Sequence, residues 1–169
     1  MLFMDFQTRL LEESDVSQIL TLQNLCFPEV EPESDISFIN KIKQSPSTCW
    51  GVFKDGTLKA YLIAIPWRTG RPLSLDQIDV LCVNPNCLYL HDLAVLPEMR
   101  GTGAAQTLLK YFFKALLKKK FSRAALVAIQ GSKPYWERQG FSVQASSNAI
   151  NEKLASYGSE AFYMEYHCK

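Results

Sequence analysis

Apolar and polar positions along this chain repeat with two periods, near 2 and near 3.6, and segments of each kind alternate. That order predicts an α/β architecture. Residues 6–11 read as a first strand. Ser14 or Asp15 then caps a helix carrying Val16, Ile19, Leu20 and Leu25, which Pro28 ends. Ile36, Ile39 and Ile42, three apart, predict a second helix over residues 35–43. Strands follow at 49–54 and 58–67, joined by the hairpin pair Asp55-Gly56. Residues 88–96 predict another, continuous strand. Residues 103–120 predict a helix with Ala105, Leu109, Phe112 and Leu116 on one face. A strand at 124–129 and a short helix through Gln139, stopped by Gly140, come next. Strands at 141–145 and 161–167 close the sheet.

Residues 68–86 break this regularity. They hold Gly70, Pro72 and Pro85 and one apolar run at 78–83. They read as a long excursion with an extra strand or short helix, either a functional loop or a cover for the sheet.

The length of 169 residues suits one domain, 1–169. With 47% hydrophobic and 21% charged residues the chain can bury a core and is not disordered. A net charge of +1 gives no general attraction to nucleic acid or an anionic membrane. The longest apolar run, 60–67, is too short to cross a bilayer, and the start lacks a signal-peptide pattern. The five cysteines are scattered without a C-x-x-C pair, which fits a reducing, cytoplasmic compartment. The two histidines, His91 and His167, lack ligand spacing, so no metal is expected. Lys118, Lys119 and Lys120 complement the C-terminal dipole of the long helix, or else attract phosphates.

The chemistry concentrates where a strand ending near Val95 meets the long helix. The turn between them is Arg100-Gly101-Thr102-Gly103-Ala104-Ala105. Glycines let backbone approach a bulky anion, and the first helical amides have no internal partners. Together they make a pyrophosphate site, and Arg100 adds charge or braces the turn. Gln106 stands where a dinucleotide fingerprint needs glycine or alanine, and the Gly-Lys-Ser/Thr of a Walker loop is absent.

This region resembles the GNAT superfamily of acyl-CoA N-acyltransferases. Arg100, Gly103 and Ala105 match its R/Q-x-x-G-x-G/A pattern. Leu93-Ala94-Val95, Pro97 and the later Tyr135-Trp136-Glu137-Arg138-Gln139-Gly140-Phe141 are similar to further family motifs. Within the family, Leu88-Tyr89-Leu90-His91-Asp92-Leu93-Ala94-Val95 and Cys26-Phe27-Pro28 look most like the arylalkylamine (serotonin-type) N-acetyltransferases. Tyr89 replaces the first histidine of that group's His-x-His.

The resemblance implies a mixed, mostly antiparallel sheet, splayed between its fourth and fifth strands, with flanking helices. It implies acetyl-CoA as cosubstrate, with the pantetheine arm on the backbone of Leu93, Ala94 and Val95. The pyrophosphate would sit on amides from Gly101 through Thr102, Gly103, Ala104 and Ala105 to Gln106. The acceptor would be a primary amine of a small molecule, arylalkylamine or polyamine-like. A protein N-terminus or lysine is the alternative acceptor, and a non-catalytic acyl-CoA-binding domain the alternative class. The oligomer is left open, with room for a homodimer.

An alkyl ammonium has a pKa of ~10 and must lose a proton before it attacks. His91 is the candidate base. It stands two residues before Leu93 and so should share that residue's face, with Tyr89 beside it and Asp92 opposite. Tyr89 would shape the amine pocket or hold a water. Val95 N–H can polarise the thioester. Trp136 occupies a position where relatives carry a tyrosine that protonates the leaving thiolate. Indole cannot do this, and Tyr135, about 100° away around the helix, is not an automatic substitute. The reading is therefore of Trp136 packed beside the thioester and an enzyme without a dedicated acid.

Overall fold

A computed structural model describes residues 5–158 and 160–169. Its order is β1 (Gln7–Leu10), α1 (Val16–Cys26), α2 (Asp35–Gln44), β2 (Cys49–Lys54), β3 (Thr57–Trp67), β4 (Cys87–Val95), α3 (Ala104–Lys118), β5 (Arg123–Ala128), α4 (Lys133–Arg138), β6 (Ser142–Val143), α5 (Asn148–Leu154) and β7 (Phe162–His167). The strands form one seven-stranded sheet, ordered β1-β2-β3-β4-β5-β7-β6. Neighbours run antiparallel except β4 and β5. Asp55 and Gly56 both take positive φ, 52° and 77°, and close the β2–β3 hairpin.

The sheet buries both faces. On one, α3 and α4 cover Leu62, Leu88, Leu90 and Leu126 with Leu108, Phe112 and Trp136. On the other, α1 and α2 cover Tyr61, Ile63 and Ala94 with Ile19, Leu22 and Phe38. A third cluster joins Ile65, Tyr89 and Tyr163 to Leu73 and Ile150.

The inward faces of α1 and α2 differ from expectation. Leu25 and Ile36 are exposed, while α2 buries Ser37, Phe38, Lys41 and Ile42. A polar network holds Ser37 and Lys41 inside, and that network overrides the three-residue isoleucine spacing. Residues 68–86 form neither strand nor helix. Leu81 and Val83 of the 78–83 run are 70% and 75% exposed, while Val80 is buried. The excursion is held instead by single hydrogen bonds, Leu73 N–H to Tyr89 Oη and Gly70 N–H to Tyr163 Oη among them. The unforeseen α5 starts where the Ser147 hydroxyl accepts from Ile150 N–H, and of its residues Ile150 is buried. Among the described residues no helix is long and apolar enough to cross a membrane.

Candidate active site

The sheet opens in its middle. β4 and β5 pair over Leu88–Leu90 and Ala124–Leu126, and β4 then continues to Val95 with β3 alone beside it. Leu96 N–H donates to Lys59 O at 3.0 Å. By the alternation of an antiparallel ladder, Ala94 then spends its polar groups on β3, while those of Leu93 and Val95 face the open side. One open-edge carbonyl, that of Val95, accepts from the Cys26 thiol at 3.4 Å.

β4 is one strand, but it is not regular. Ile63 pairs with Asp92 but Ala64 with Leu90, so His91 is the extra residue of a β-bulge. The bulge breaks the period of two. Leu93 packs on the α3 face. His91 and Asp92 both turn toward α1 and α2, where they meet Glu33 and Tyr61. The expectation that His91 shares the face of Leu93, with Asp92 opposite, is thereby corrected. A one-residue slip sends every following side chain to the other face.

The opening widens into a cavity of about 610 Å³, a size that suits a small-molecule site. One end is the turn before α3. Arg100, Gly101, Gly103, Ala104, Ala105 and Gln106 line it. Gly101 and Gly103 have φ of 77° and 90°, and a Cβ on either would point into open space. Glycine is needed here for backbone conformation, and the space it leaves is open to a ligand. The amides of Ala104, Ala105 and Gln106 open the helix and have no intrahelical carbonyl. Thr102 does not join them, because its N–H and hydroxyl both donate to Met99 O, at 3.3 and 2.5 Å. The basic run Lys118–Lys120 lies at the far end of α3, ~20 Å from this turn, and so plays no part in it.

The other end is made of side chains. His91 Nε2 lies 2.8 and 2.9 Å from the two oxygens of Glu33. Glu33 also accepts from the Ser37 hydroxyl at 3.1 Å, and the fully buried Lys41 ammonium lies 3.6 Å away. The imidazole is driven toward its neutral form by burial, against the pull of Glu33. Burial would raise the Glu33 carboxyl, but His91 and Lys41 hold it low, so it stays ionised. A carboxylate can only accept, so Nε2 carries the hydrogen and Nδ1 the lone pair. Nδ1 is buried and has no hydrogen-bond partner among the described residues. Asp92 accepts from Tyr61 Oη at 2.7 Å. Burial, with Glu33 nearby, lifts its carboxyl to about 7.

Tyr89 does not reach the cavity. It is buried in the third cluster, its ring 6.3 Å from that of His91 and its hydroxyl taken by Leu73 N–H. Its place is packing under the histidine, and the expected pocket role is corrected. Trp136 does line the cavity and packs edge-on to Phe141. Tyr135 lines it as well, and its buried hydroxyl has no partner among the described residues.

Glu33, Lys41 and Tyr61 were not singled out from the sequence. The available signal was Lys41, a lysine three residues after Phe38 on what became the buried helix face.

A model of the Acetyltransferase (GNAT) family matches residues 16–141. No curated protein matches by sequence. Solved structures do match by shape. The loading GNATL domain of CurA from Lyngbya majuscula is similar with a TM-score of 0.79 and 11% identity, over 96% of this chain and 98% of that one. The PaiA N-acetyltransferase from Thermoplasma acidophilum, in complex with coenzyme A, has a TM-score of 0.67 and 18% identity over 97% and 99%. The ribosomal-protein-S18-alanine N-acetyltransferase from Escherichia coli has a TM-score of 0.67 and 15% identity over 98% and 95%. These likenesses speak to the fold, and with the family match over residues 16–141 they place the chain in the acetyltransferase (GNAT) family.

Proposed function

We propose that residues 1–169 act as one domain that moves the acetyl group of acetyl-CoA to the primary amine of a small molecule, arylalkylamine-like rather than peptide. The observation that carries this reading is the roof over the acceptor end. Leu75 from the 68–86 excursion and Tyr157 line the cavity beside Phe27 and Val30. The roof is tied down at several points. Tyr157 Oη donates to Leu73 O at 2.7 Å, Leu75 N–H to Ser156 Oγ at 3.0 Å, and Ser34 N–H to Asp76 Oδ1 at 2.7 Å. A peptide needs an open groove, whereas a small amine with an apolar body fits this chamber. The carboxylate of Asp92 on its floor suits a cationic head.

In this reading the pyrophosphate takes the amides at the start of α3, and the pantetheine amides pair with Leu93 and Val95. His91 Nδ1 removes a proton from the incoming ammonium, directly or through one water. The amine nitrogen then attacks the thioester carbon, whose oxygen is polarised by Val95 N–H. A C–N bond forms, the C–S bond breaks, and coenzyme A leaves as thiolate. Water, or the Tyr135 hydroxyl that burial keeps protonated, then returns a proton to it.

The test is release of free coenzyme A thiol from acetyl-CoA, with arylalkylamines, polyamines and peptides side by side. Release with small amines is expected. Release with peptides alone would point to a protein acceptor. Tight acetyl-CoA binding with no release would point to a non-catalytic domain.

A further inference from the structure

His91 stands in an assembly of buried charges larger than one histidine needs. Glu33 sits in the loop between α1 and α2 and is clamped through its backbone. Gln23 Nε2 donates to Glu33 O at 2.7 Å, and Glu33 N–H donates to Gln23 Oε1 at 3.1 Å. With its backbone fixed at both polar groups, the Glu33 side chain has a set direction, and that direction is His91 Nε2. Lys41 approaches from the other side. Its ammonium is fully buried, donates to Ser37 Oγ at 2.6 Å and Gln77 O at 3.0 Å, and reaches Glu33 Oε1 at 3.6 Å. A buried ammonium is expensive to keep unless it is paired. Here one carboxylate serves both a lysine and a histidine.

We propose that Glu33 and Lys41 are positioning residues for His91: Glu33 holds the imidazole by its Nε2–H and so keeps the lone pair on Nδ1, and Lys41 supplies the standing counter-charge of Glu33. This deepens the reading of His91 as base and rests on it. Without Lys41, the lone buried carboxylate would draw a proton onto the imidazole and spend the base before substrate arrived. With Lys41 present, Glu33 is already neutralised, and the imidazole rests without a proton on Nδ1. When the amine's proton moves to Nδ1, the imidazolium that forms lies against Glu33, which limits its cost. The proton leaves afterward to solvent or the departing thiolate.

Other titratable groups near this assembly are Asp92, Tyr61, Tyr89 and Cys49 from the sheet, Cys26 from α1, Tyr157 after α5 and Asp76 from the excursion. Tyr61 neutralises part of the Asp92 charge by donating to it. Asp76 N–H donates to Glu33 Oε1 at 3.2 Å. The excursion thus fastens both members of the pair, through Asp76 N–H and Gln77 O. The segment that roofs the acceptor chamber also completes the setting of the base.

Both nitrogens reach the same Glu33 oxygen, at 2.8 and 3.6 Å, so the two cationic centres lie within roughly 6 Å. At an effective dielectric of about 20 that is close enough to move a titration by one pH unit or more.

The experiment is nitrogen-15 NMR of the imidazoles, read beside pH–rate profiles. His91→Ala assigns the signals, since the chain has two histidines. Wild-type His91 should show Nε2–H and bare Nδ1 at pH 7. In Lys41→Met its titration midpoint should rise by about one unit or more, and the acid limb of kcat/KM should rise with it. For a one-unit rise, kcat/KM at pH 7 should then fall by up to about fourfold and recover near pH 9. Glu33→Gln should lose about tenfold or more in kcat at every pH, with acetyl-CoA affinity unchanged. Glu33→Asp should restore part of that loss. An Nδ1–H tautomer in the wild type overturns the proposal even if no variant folds. So does an unmoved His91 midpoint in folded Lys41→Met. If the midpoint moves but His91→Ala keeps full turnover, the charge assembly stands and the base reading falls.

Discussion

The two ends of the cavity are built by different means. The end we propose for the cofactor, the cofactor end, is backbone from one short stretch, Leu93 to Gln106: an open strand edge, two glycines at positive φ and the first amides of α3. The end we propose for the acceptor, the acceptor end, is side chains gathered from Gln23 to Tyr157, and its central contact, His91 to Glu33, spans 58 residues. A site made of backbone tolerates most side-chain changes and fails when the chain cannot adopt its dihedrals. A site made of buried charges fails when one partner goes, because the others are left uncompensated.

The largest effect should come from the acceptor end. His91→Ala should lower turnover by ~10²-fold or more, the usual worth of a general base, with acetyl-CoA binding intact. Unchanged turnover would make the histidine structural. Next comes the cofactor end. Gly103→Val places a β-branched residue at φ 90° and puts its side chain where a phosphate would lie. Strain of about 1–3 kcal/mol and lost contact should weaken acetyl-CoA binding by about tenfold or more, measured by calorimetry. NAD and ATP should compete poorly. A folded Gly103→Val protein with wild-type affinity would remove the pyrophosphate from this turn.

That contrast also explains what could be read in advance. The strand–turn–helix around Gly103 is contiguous, so glycine chemistry, helix-end amides and family likeness all pointed to the same residues. Most strands and helices were legible for the same reason, through local period and turn residues such as Asp55-Gly56. The bulge at His91 was not, because nothing in Leu88–Val95 distinguishes a continuous strand from one with an extra residue. That single residue reversed the facing of Leu93 relative to His91. Glu33 was hidden in an acidic loop that looks like solvated surface, and it becomes special through a lysine and a glutamine on two different helices. The path of residues 68–86 rests on isolated hydrogen bonds to distant side chains, which leave no periodic trace.

A smaller effect separates the two ends where they meet, at α4. Tyr135 and Trp136 both line the cavity, their rings 5.0 Å apart and nearly perpendicular. Coenzyme A thiol resembles a free cysteine, with a pKa of about 8.5, so its thiolate leaves tolerably without help. Tyr135→Phe should therefore lower turnover by about tenfold or less, below the usual range for a positioned acid. Trp136→Phe should retain most activity and add no titrating limb. A fall of ~10²-fold in Tyr135→Phe, with fold and acetyl-CoA binding intact, would instead make Tyr135 a dedicated acid.

The smallest effect is on stability, and it tests whether the acceptor end stores charge as described. Asp92 is buried, next to Glu33, and its carboxyl is raised from the usual 3.8 to about 7. The folded protein therefore holds this proton more tightly than the unfolded chain does. Below pH ~4 the group is protonated in both states, and its contribution is fully present. As pH rises toward 7 the unfolded chain ionises freely while the fold resists, so stability drains away. Above about 7 the deficit stays constant. Asparagine cannot ionise, yet its carbonyl can still accept from Tyr61 Oη. Asp92→Asn should thus come nearest the wild type in Tm near pH 3.5 and exceed it near pH 8, by an amount on the order of 1–3 kcal/mol. At this chain length that is a few degrees. An equal Tm difference at both pH values would mean that Asp92 ionises as easily in the fold as out of it. The acceptor end would then be better solvated than its buried side chains imply, and its contrast with the cofactor end would narrow.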